Sequence, residues 1–136
     1  MRDFKELKVW QKAHRFVLDV YRHSRAFPSD ERFGLTAHLR KSASSVPSNI
    51  AEGCGREGER ELARLLSIAA GSASEAEYQL LLARDLGYLQ PDAHRQLDDQ
   101  VNEVKRMLTS FLQKLSPAKY SAPQEGVQRR VRVLWS

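Results

Sequence analysis

The sequence is poor in cysteine and in long apolar runs, and each scarcity excludes a class of protein. Cys54 is the only cysteine, so an internal disulfide framework and a multi-cysteine metal site are both excluded. No apolar run approaches the roughly 18–20 residues that a membrane-spanning helix needs. Residues 1–6 mix charges of both signs and lack the apolar stretch of a signal peptide. We therefore expect a cytoplasmic protein with one hydrophobic core and no membrane partner.

Positive charge is unevenly distributed along the chain, whose net charge is +5. Residues 1–27 contain seven Lys/Arg and three acids, and residues 116–136 contain four Lys/Arg and one acid. The residues between them contain 11 Lys/Arg and 13 acids, a net charge of −2. Cationic ends of this kind are compatible with a polyanionic partner.

Four segments repeat apolar residues with the period of an amphipathic helix, at about residues 4–26, 31–52, 59–86 and 91–115. Short connections between long helices favour antiparallel neighbours. The sequence therefore predicts an all-α fold, an antiparallel up-down-up-down four-helix bundle over residues 1–115 with a basic C-terminal extension over 116–136. The predicted inner residues are Leu7, Trp10, Ala13, Val17, Val20, Tyr21 and Ser24; Phe33, Leu35, Leu39, Ser42, Val46 and Ile50; Leu62, Leu66, Ala69, Ala73, Ala76, Leu80 and Ala83; and Leu97, Val101, Val104, Leu108, Phe111 or Leu112, and Leu115.

Two prolines affect the second predicted helix, one before its start and one within it. Pro28 disfavours helix at the residue before it, and Ser29 or Asp30 can cap the helix that follows. Pro47 lacks a backbone donor and clashes with the preceding turn, so we expect a kink or a break there.

Glycines mark the connections around the third helix. Gly53-x-Gly55-x-x-Gly58 matches the dinucleotide-binding fingerprint as a string. That motif needs a preceding strand and a parallel sheet, whereas here a helix precedes it, so a helix-to-helix connection is the better interpretation. Gly87 is a natural left-handed residue after a helix, and Pro91 suits the first position of the next one.

Residues 69–74 of the third helix contain no large side chain. They indicate either tight packing within one bundle or contact with a second subunit. Gly71 costs about 1 kcal/mol of helix propensity relative to Ala, which close approach of a neighbour can offset. The C-terminal extension places Val127, Val131, Val133 and Trp135 at strand spacing. A lone strand forms no stable sheet, so this segment is either disordered or docked, and we favour docking onto a neighbouring subunit. The candidate oligomer contacts are Ala70, Gly71, Ser74, Val131, Val133 and Trp135.

No catalytic or metal-binding pattern is present in the sequence. None of the four histidines stands three residues after a Glu, as a di-iron bundle requires, and Cys54 has no histidine near it in sequence. We therefore predict that the protein is not an enzyme and holds no metal or cofactor. The histidines are His14, His23, His38 and His94.

Cations recur at three- and four-residue spacing along the first helix, interrupted only by Asp19. This basic band lies roughly opposite the predicted apolar face, and no aromatic residues are interleaved with it. Such a band suits phosphate contacts, although any helix also needs a charged outer face. The candidate nucleic-acid contacts are Lys5, Lys8, Lys12, Arg15, Arg22 and Arg25, with Arg129, Arg130 and Arg132 in the extension.

Four polar residues fall within the helical pattern and need partners. Arg40 and Glu75 would form an interhelical ion pair if their helices pack side by side. Asn49 and Glu52 flank Pro47 and can bond the backbone groups that it leaves open. Catalytic carboxylates are the alternative interpretation of the two glutamates.

Five stretches carry a recognisable pattern, of which the string at 45–53 is the most specific. They are Phe4-x-x-Leu7-x-Val9-Trp10, Phe27-Pro28-x-x-Glu31-x-Phe33-Gly34-Leu35, Leu39-Arg40-Lys41-Ser42-Ala43-x-Ser45-Val46-Pro47-x-Asn49-Ile50-Ala51-Glu52-Gly53, Ile68-Ala69-x-Gly71-Ser72-x-x-Glu75 and Leu86-Gly87-Tyr88-Leu89. Together they resemble the bacterial four-helix-bundle proteins first noticed in intervening sequences of large-subunit ribosomal RNA genes. The resemblance covers residues 4–115 and leaves the extension out.

The resemblance implies a homo-oligomeric ring, typically a pentamer, with no established enzymatic activity or cofactor. Related bundles that assist diversity-generating reverse transcriptases are basic pentamers that bind RNA and enzyme. Our leading hypothesis is a non-enzymatic homo-oligomeric adaptor, a pentamer, that binds RNA or DNA through the first helix and the extension. The alternatives are a scaffold for a protein encoded nearby, without nucleic-acid binding, and an enzyme of unknown reaction.

Overall fold

The computed structural model describes residues 2–115, which form four α-helices joined by short connections. Single 3-10 turns at Phe4–Glu6 and Ser29–Glu31 precede the first two helices. No strand occurs between residues 2 and 115, and no helix in that range is long and apolar enough to cross a membrane. The strand-spaced segment predicted around Val131 lies outside the described residues. The helices are α1 Lys8–Ser24, α2 Leu35–Gly55, α3 Glu59–Asp85 and α4 Pro91–Leu115.

The helices form the predicted bundle, in which each helix packs against the next and α1 closes the array against α4. Helices α2 and α3 run antiparallel. Ser42 donates a hydrogen bond to Gln79, whereas Ser45, later in α2, accepts one of 3.0 Å from Ser72, which is earlier in α3. Asp19 likewise bonds Gln100 of α4. The all-α antiparallel architecture is therefore confirmed.

The core follows the predicted stripes of α3 and α4 closely. Leu66, Leu80 and Leu108 are fully buried, and each contributes about 1.5–3 kcal/mol relative to exposure. Gly87 adopts the expected positive φ of 83°, and Pro91 is the first residue of α4.

The buried face of α1 matches its predicted face only in part: Ala13, Val17, Val20 and Ser24 are buried as expected. Val9 and Phe16 are buried, whereas Tyr21 is 42% exposed, and Trp10 is only half-buried. The apolar stripe of α1 is wide enough to fit two adjacent faces by period alone. Contact with both α2 and α4 selects the face centred on Phe16.

The start of α2 corrects three expectations. The helix begins at Leu35 and not near residue 31, and Phe33, predicted to face inward, is 82% exposed. Neither Ser29 nor Asp30 caps it, because these residues form a separate 3-10 turn. Instead, the Glu31 carboxylate accepts a hydrogen bond of 3.2 Å from the Leu35 amide.

The second half of α2 runs unbroken through Pro47 and ends at Gly55. The expected break is therefore wrong. Pro47 removes only one backbone donor and is itself buried, so packing holds the helix together. The connection to α3 is consequently shorter than the predicted 53–58 segment.

Candidate nucleic-acid interface

All six predicted cations of the first helical segment are exposed. Lys5 lies on the first 3-10 turn, Lys8 begins α1, and Arg25 follows its last residue. The band therefore exists as a surface on α1.

Asp19, predicted to interrupt that surface, is buried at 1% exposure between α1 and α4. Its carboxylate accepts hydrogen bonds from Arg22 and, at 2.7 Å, from the Gln100 amide, and Arg15 Nε lies 3.5 Å away. Burial raises the pKa of the Asp19 carboxyl, but the hydrogen bonds from Gln100 and Arg22 and the two arginine charges outweigh it. The pKa therefore lies below its ordinary value, and Asp19 is ionised near neutral pH.

The positive charge in the middle of the basic band is thus partly neutralised. Arg15 and Arg22 share Asp19, and Lys12 Nζ lies 3.4 Å from the Glu103 carboxylate of α4. Among the described residues, Lys8 and Arg25 form no ion pair. Fewer charges on α1 are available to a ligand than the sequence indicates.

An aromatic stack adjoins the band, and this stack was not predicted from the sequence. The Trp10 ring stacks on His14 with centroids 5.0 Å apart, and Phe4 meets Trp10 edge-on at 5.0 Å. Spacing of four residues between Trp10 and His14 was the available signal. The stack fixes the 3-10 turn against α1.

The small residues of α3 divide between two faces. Ala69, Ala73 and Ala76 are fully buried, so tight packing within the bundle accounts for them. Gly71 and Ser74 are exposed, and a side chain added at Gly71 would meet no atom within 4 Å. Packing between residues 2 and 115 therefore gives no reason for glycine at position 71.

The family described as 23S rRNA-intervening sequence protein matches residues 5–110. The chain belongs to this family. No curated protein matches it.

The fold is similar to a crystal structure at 1.70 Å of a protein of unknown function from the S23 ribosomal protein family of Bacteroides thetaiotaomicron VPI-5482. The TM-score is 0.72 at 20% identity, and the match covers 78% of this chain and 99% of that one. At this identity the likeness shows the fold alone.

In this 23S rRNA-intervening sequence protein, the predicted Arg40–Glu75 ion pair does not form. Arg40 turns towards α1, donating to Ser24 Oγ at 2.8 Å, and its guanidinium lies 4.6 Å from the Tyr21 ring centroid. Glu75 instead lines an open cavity of about 360 Å³ between α2 and α3, together with His38. Arg40 lies on the edge of α2 that faces α1, whereas Glu75 of α3 lies by the opposite edge of α2, and the helical period alone did not resolve this.

Asn49 and Glu52 also have other partners than expected. Asn49 Nδ2 donates to the Ser45 carbonyl at 2.7 Å, whereas the carbonyl that Pro47 leaves without its donor is that of Ala43. Glu52 pairs with Arg56 at 3.0 Å. Both contacts are local to α2, and the cavity that Glu75 lines includes neither Asn49 nor Glu52.

Two cations outside the predicted set, Arg106 and Lys114, are exposed on α4. The signal for them was in the sequence, because no acid occurs between Glu103 and Glu125. The predicted Arg129, Arg130 and Arg132 lie outside the described residues, as do Val131, Val133 and Trp135. Within residues 2–115 no three His, Cys, Asp or Glu side chains are grouped as metal ligands would be.

Proposed function

We propose that this protein is a non-enzymatic homo-oligomeric adaptor, a pentamer, that binds RNA or DNA through exposed cations of the bundle and its C-terminal extension. The observation that carries the proposal is a division of charge. Residues 104–136 contain seven Lys/Arg and one acid, a net charge of +6, whereas residues 1–103 contain 15 and 16, a net charge of −1. Cations concentrated in this way displace counterions from phosphates.

The fold adds α1 cations to this charge. Lys8 and Lys114 line the same cavity, because α1 begins where the antiparallel α4 ends. The start of α1, the end of α4 and the point where the extension leaves the bundle therefore share one end of the molecule.

The outer face of α3 supports self-association. Ile68 and Tyr78 are 42% and 61% exposed on the same side of α3 as Gly71. Residues 68, 71, 75, 78 and 82 follow the alternating three- and four-residue spacing of a helix-packing seam. A second copy packed on this seam would explain the glycine.

Binding of the full-length chain to RNA and DNA oligonucleotides across a salt series tests the nucleic-acid part. Each phosphate contact contributes about −0.7 to −0.9 to the slope of log K against log salt. Four or more contacts predict a slope of about −3 or steeper. No measurable binding, or affinity indifferent to salt, would contradict the proposal.

A protein scaffold is the second candidate, favoured by the opposite end of the bundle. Phe33 and Leu86 are 82% and 50% exposed there, beside the Tyr88–Glu31 hydrogen bond that joins the two connections. One stoichiometric protein retained after nuclease treatment and lost from a Phe33→Ser variant would favour this function over nucleic-acid binding.

A further inference from the structure

The C-terminal half of α4 presents a polar surface that the basic band on α1 does not include. A shallow, open cavity of about 380 Å³ lies on it and is lined only by polar residues. Amide, hydroxyl and cationic groups are the side chains that contact phosphate and sugar oxygens. The lining residues are Asn102, Lys105, Arg106, Thr109, Ser110 and Gln113.

A second cavity, of about 330 Å³, adjoins the first, because Ser110 lines both. Its floor is apolar, formed by Leu7, Met107 and Phe111, and its rim carries Lys8 and Lys114. Its volume is at the lower end of the range for small-ligand clefts.

Cations around these cavities are more available than those of the α1 band. Lys105 is held by Glu77 at 2.7 Å, but Lys8, Arg106 and Lys114 form no ion pair with any residue between 2 and 115. A cation without an acidic neighbour does not have to break an ion pair when it binds a phosphate. The charge complementarity of this surface is therefore to a polyanion.

The apolar floor restricts which polyanion fits. Phe111 is half-buried, so part of its ring remains accessible, and the Arg2 guanidinium lies 5.4 Å from the ring centroid. An aromatic side chain flanked by cations is the arrangement on which unpaired bases stack. Bases in a duplex are already stacked and paired, so they cannot stack on the Phe111 ring.

We propose that this surface binds single-stranded nucleic acid, with phosphates at Lys8, Arg106 and Lys114 and one base against Phe111. The inference rests on the proposed nucleic-acid function and assigns it a location and a strand preference.

The location is tested with the full-length chain and the probes U10, dT10 and a ten-base-pair duplex. Arg106→Gln with Lys114→Gln removes two contacts, which should weaken U10 or dT10 binding roughly tenfold and lower the salt slope by about 1.4. Arg32→Gln with Lys41→Gln is the matched control, because it removes the same charge from exposed positions outside both the α1 band and the α4 surface and should change affinity little.

If the unmodified chain binds no probe, the proposed function itself fails. If it binds but the Arg32/Lys41 control loses as much affinity as the α4 variant, only the location is overturned. Equal affinity for the duplex and the single strands overturns the strand preference. Tighter binding of U10 than of dT10, or the reverse, identifies the nucleic acid.

The base contact is tested with a fully abasic ten-residue strand, which keeps every phosphate. The unmodified chain should bind it roughly tenfold more weakly than dT10. Phe111→Leu keeps the floor apolar and should reduce dT10 binding to the abasic level, with thermal unfolding as the check on folding. Equal affinity of the unmodified chain for dT10 and the abasic strand overturns the base contact, whatever the variant does.

Discussion

At the scale of single residues, Asp19 controls how much charge α1 presents to solvent. Its carboxylate is buried, yet its partners Arg15 and Arg22 have side chains that are 69% and 61% exposed. The pair therefore joins a buried anion to two solvated cations. If a neutral polar side chain replaced the Asp19 carboxylate, both arginines would lose their ion pair but remain solvated. The new side chain would still be buried between α1 and α4.

Asp19→Asn is expected to lower the free energy of unfolding by about 1–3 kcal/mol, because the charge-assisted bonds to both arginines weaken. The Asn amide oxygen can still accept the hydrogen bond from Gln100 Nε2, so the loss should stay below that of a fully broken buried pair. Denaturant unfolding at pH 7 measures it. Asp99→Asn, at an exposed position without an ion pair among residues 2–115, should change stability by less than about 0.5 kcal/mol.

The same carboxylate gives the stability a defined pH dependence. Its folded-state pKa lies below the ordinary 3.8, so its contribution is present above that value and is lost as pH falls through the lower folded-state pKa. The difference in stability between the unmodified chain and Asp19→Asn should therefore shrink below about pH 4. A difference that stays constant down to pH 2 would show that Asp19 is not stabilised as an anion.

At the scale of helices, the end of α2 packs tightly against the start of α3. A Cβ atom placed on Gly53 would lie 2.9 Å from Leu62 Cδ1 and 3.4 Å from Leu65 Cβ. Gly55, two residues later in the same helix, has open space. The two glycines of one sequence motif therefore have different roles.

Gly53→Val is expected to be less stable than Gly55→Val by about 1–3 kcal/mol, because the buried Leu62 must move to admit the new side chain. Both variants carry the same change in helix propensity, so their difference isolates crowding. Thermal or denaturant unfolding of the two proteins side by side measures it. Equal stability would mean that α2 and α3 separate at no cost.

How much of each helix could be predicted depended on where its stabilising contacts lie. α3 and α4 have unambiguous apolar stripes, and Gly87 and Pro91 mark the turn between them locally, so their limits followed from sequence. The start of α2 did not, because Glu31 supplies the capping contact and is itself held by Tyr88, 57 positions away. The continuity of α2 through Pro47 likewise depends on packing that no local pattern reveals.

Only part of the candidate site could likewise be predicted from the sequence. The cations of α1 could be found by their spacing, but their neutralisation by Asp19 and Glu103 depends on how α4 packs against α1. Arg106 and Lys114 were overlooked because they stand eight residues apart. Only the fold brings Lys114 to the cavity that Lys8 also lines.

At the scale of the whole molecule, the two proposed surfaces lie on different sides of the bundle. α1 and α3 make no direct contact, so they are diagonal to each other in the described structure. A seam on the outer face of α3 therefore points away from α1. Self-association through α3 would leave the surface between α1 and α4 free for a nucleic-acid strand.

Gly71→Gln is expected to weaken self-association without harming the folded chain. Position 71 has open space for the new side chain, and Gln gains up to about 1 kcal/mol of helix propensity over Gly. Light scattering should give about five times the 15.5 kDa chain mass for the unmodified protein and a smaller mass for the variant. Arg60→Gln, an exposed change on the same helix outside the 68–82 seam, should leave the assembly intact. A mass near one chain for the unmodified protein would overturn the ring, and a Gly71→Gln variant that assembles normally would remove α3 from its interface.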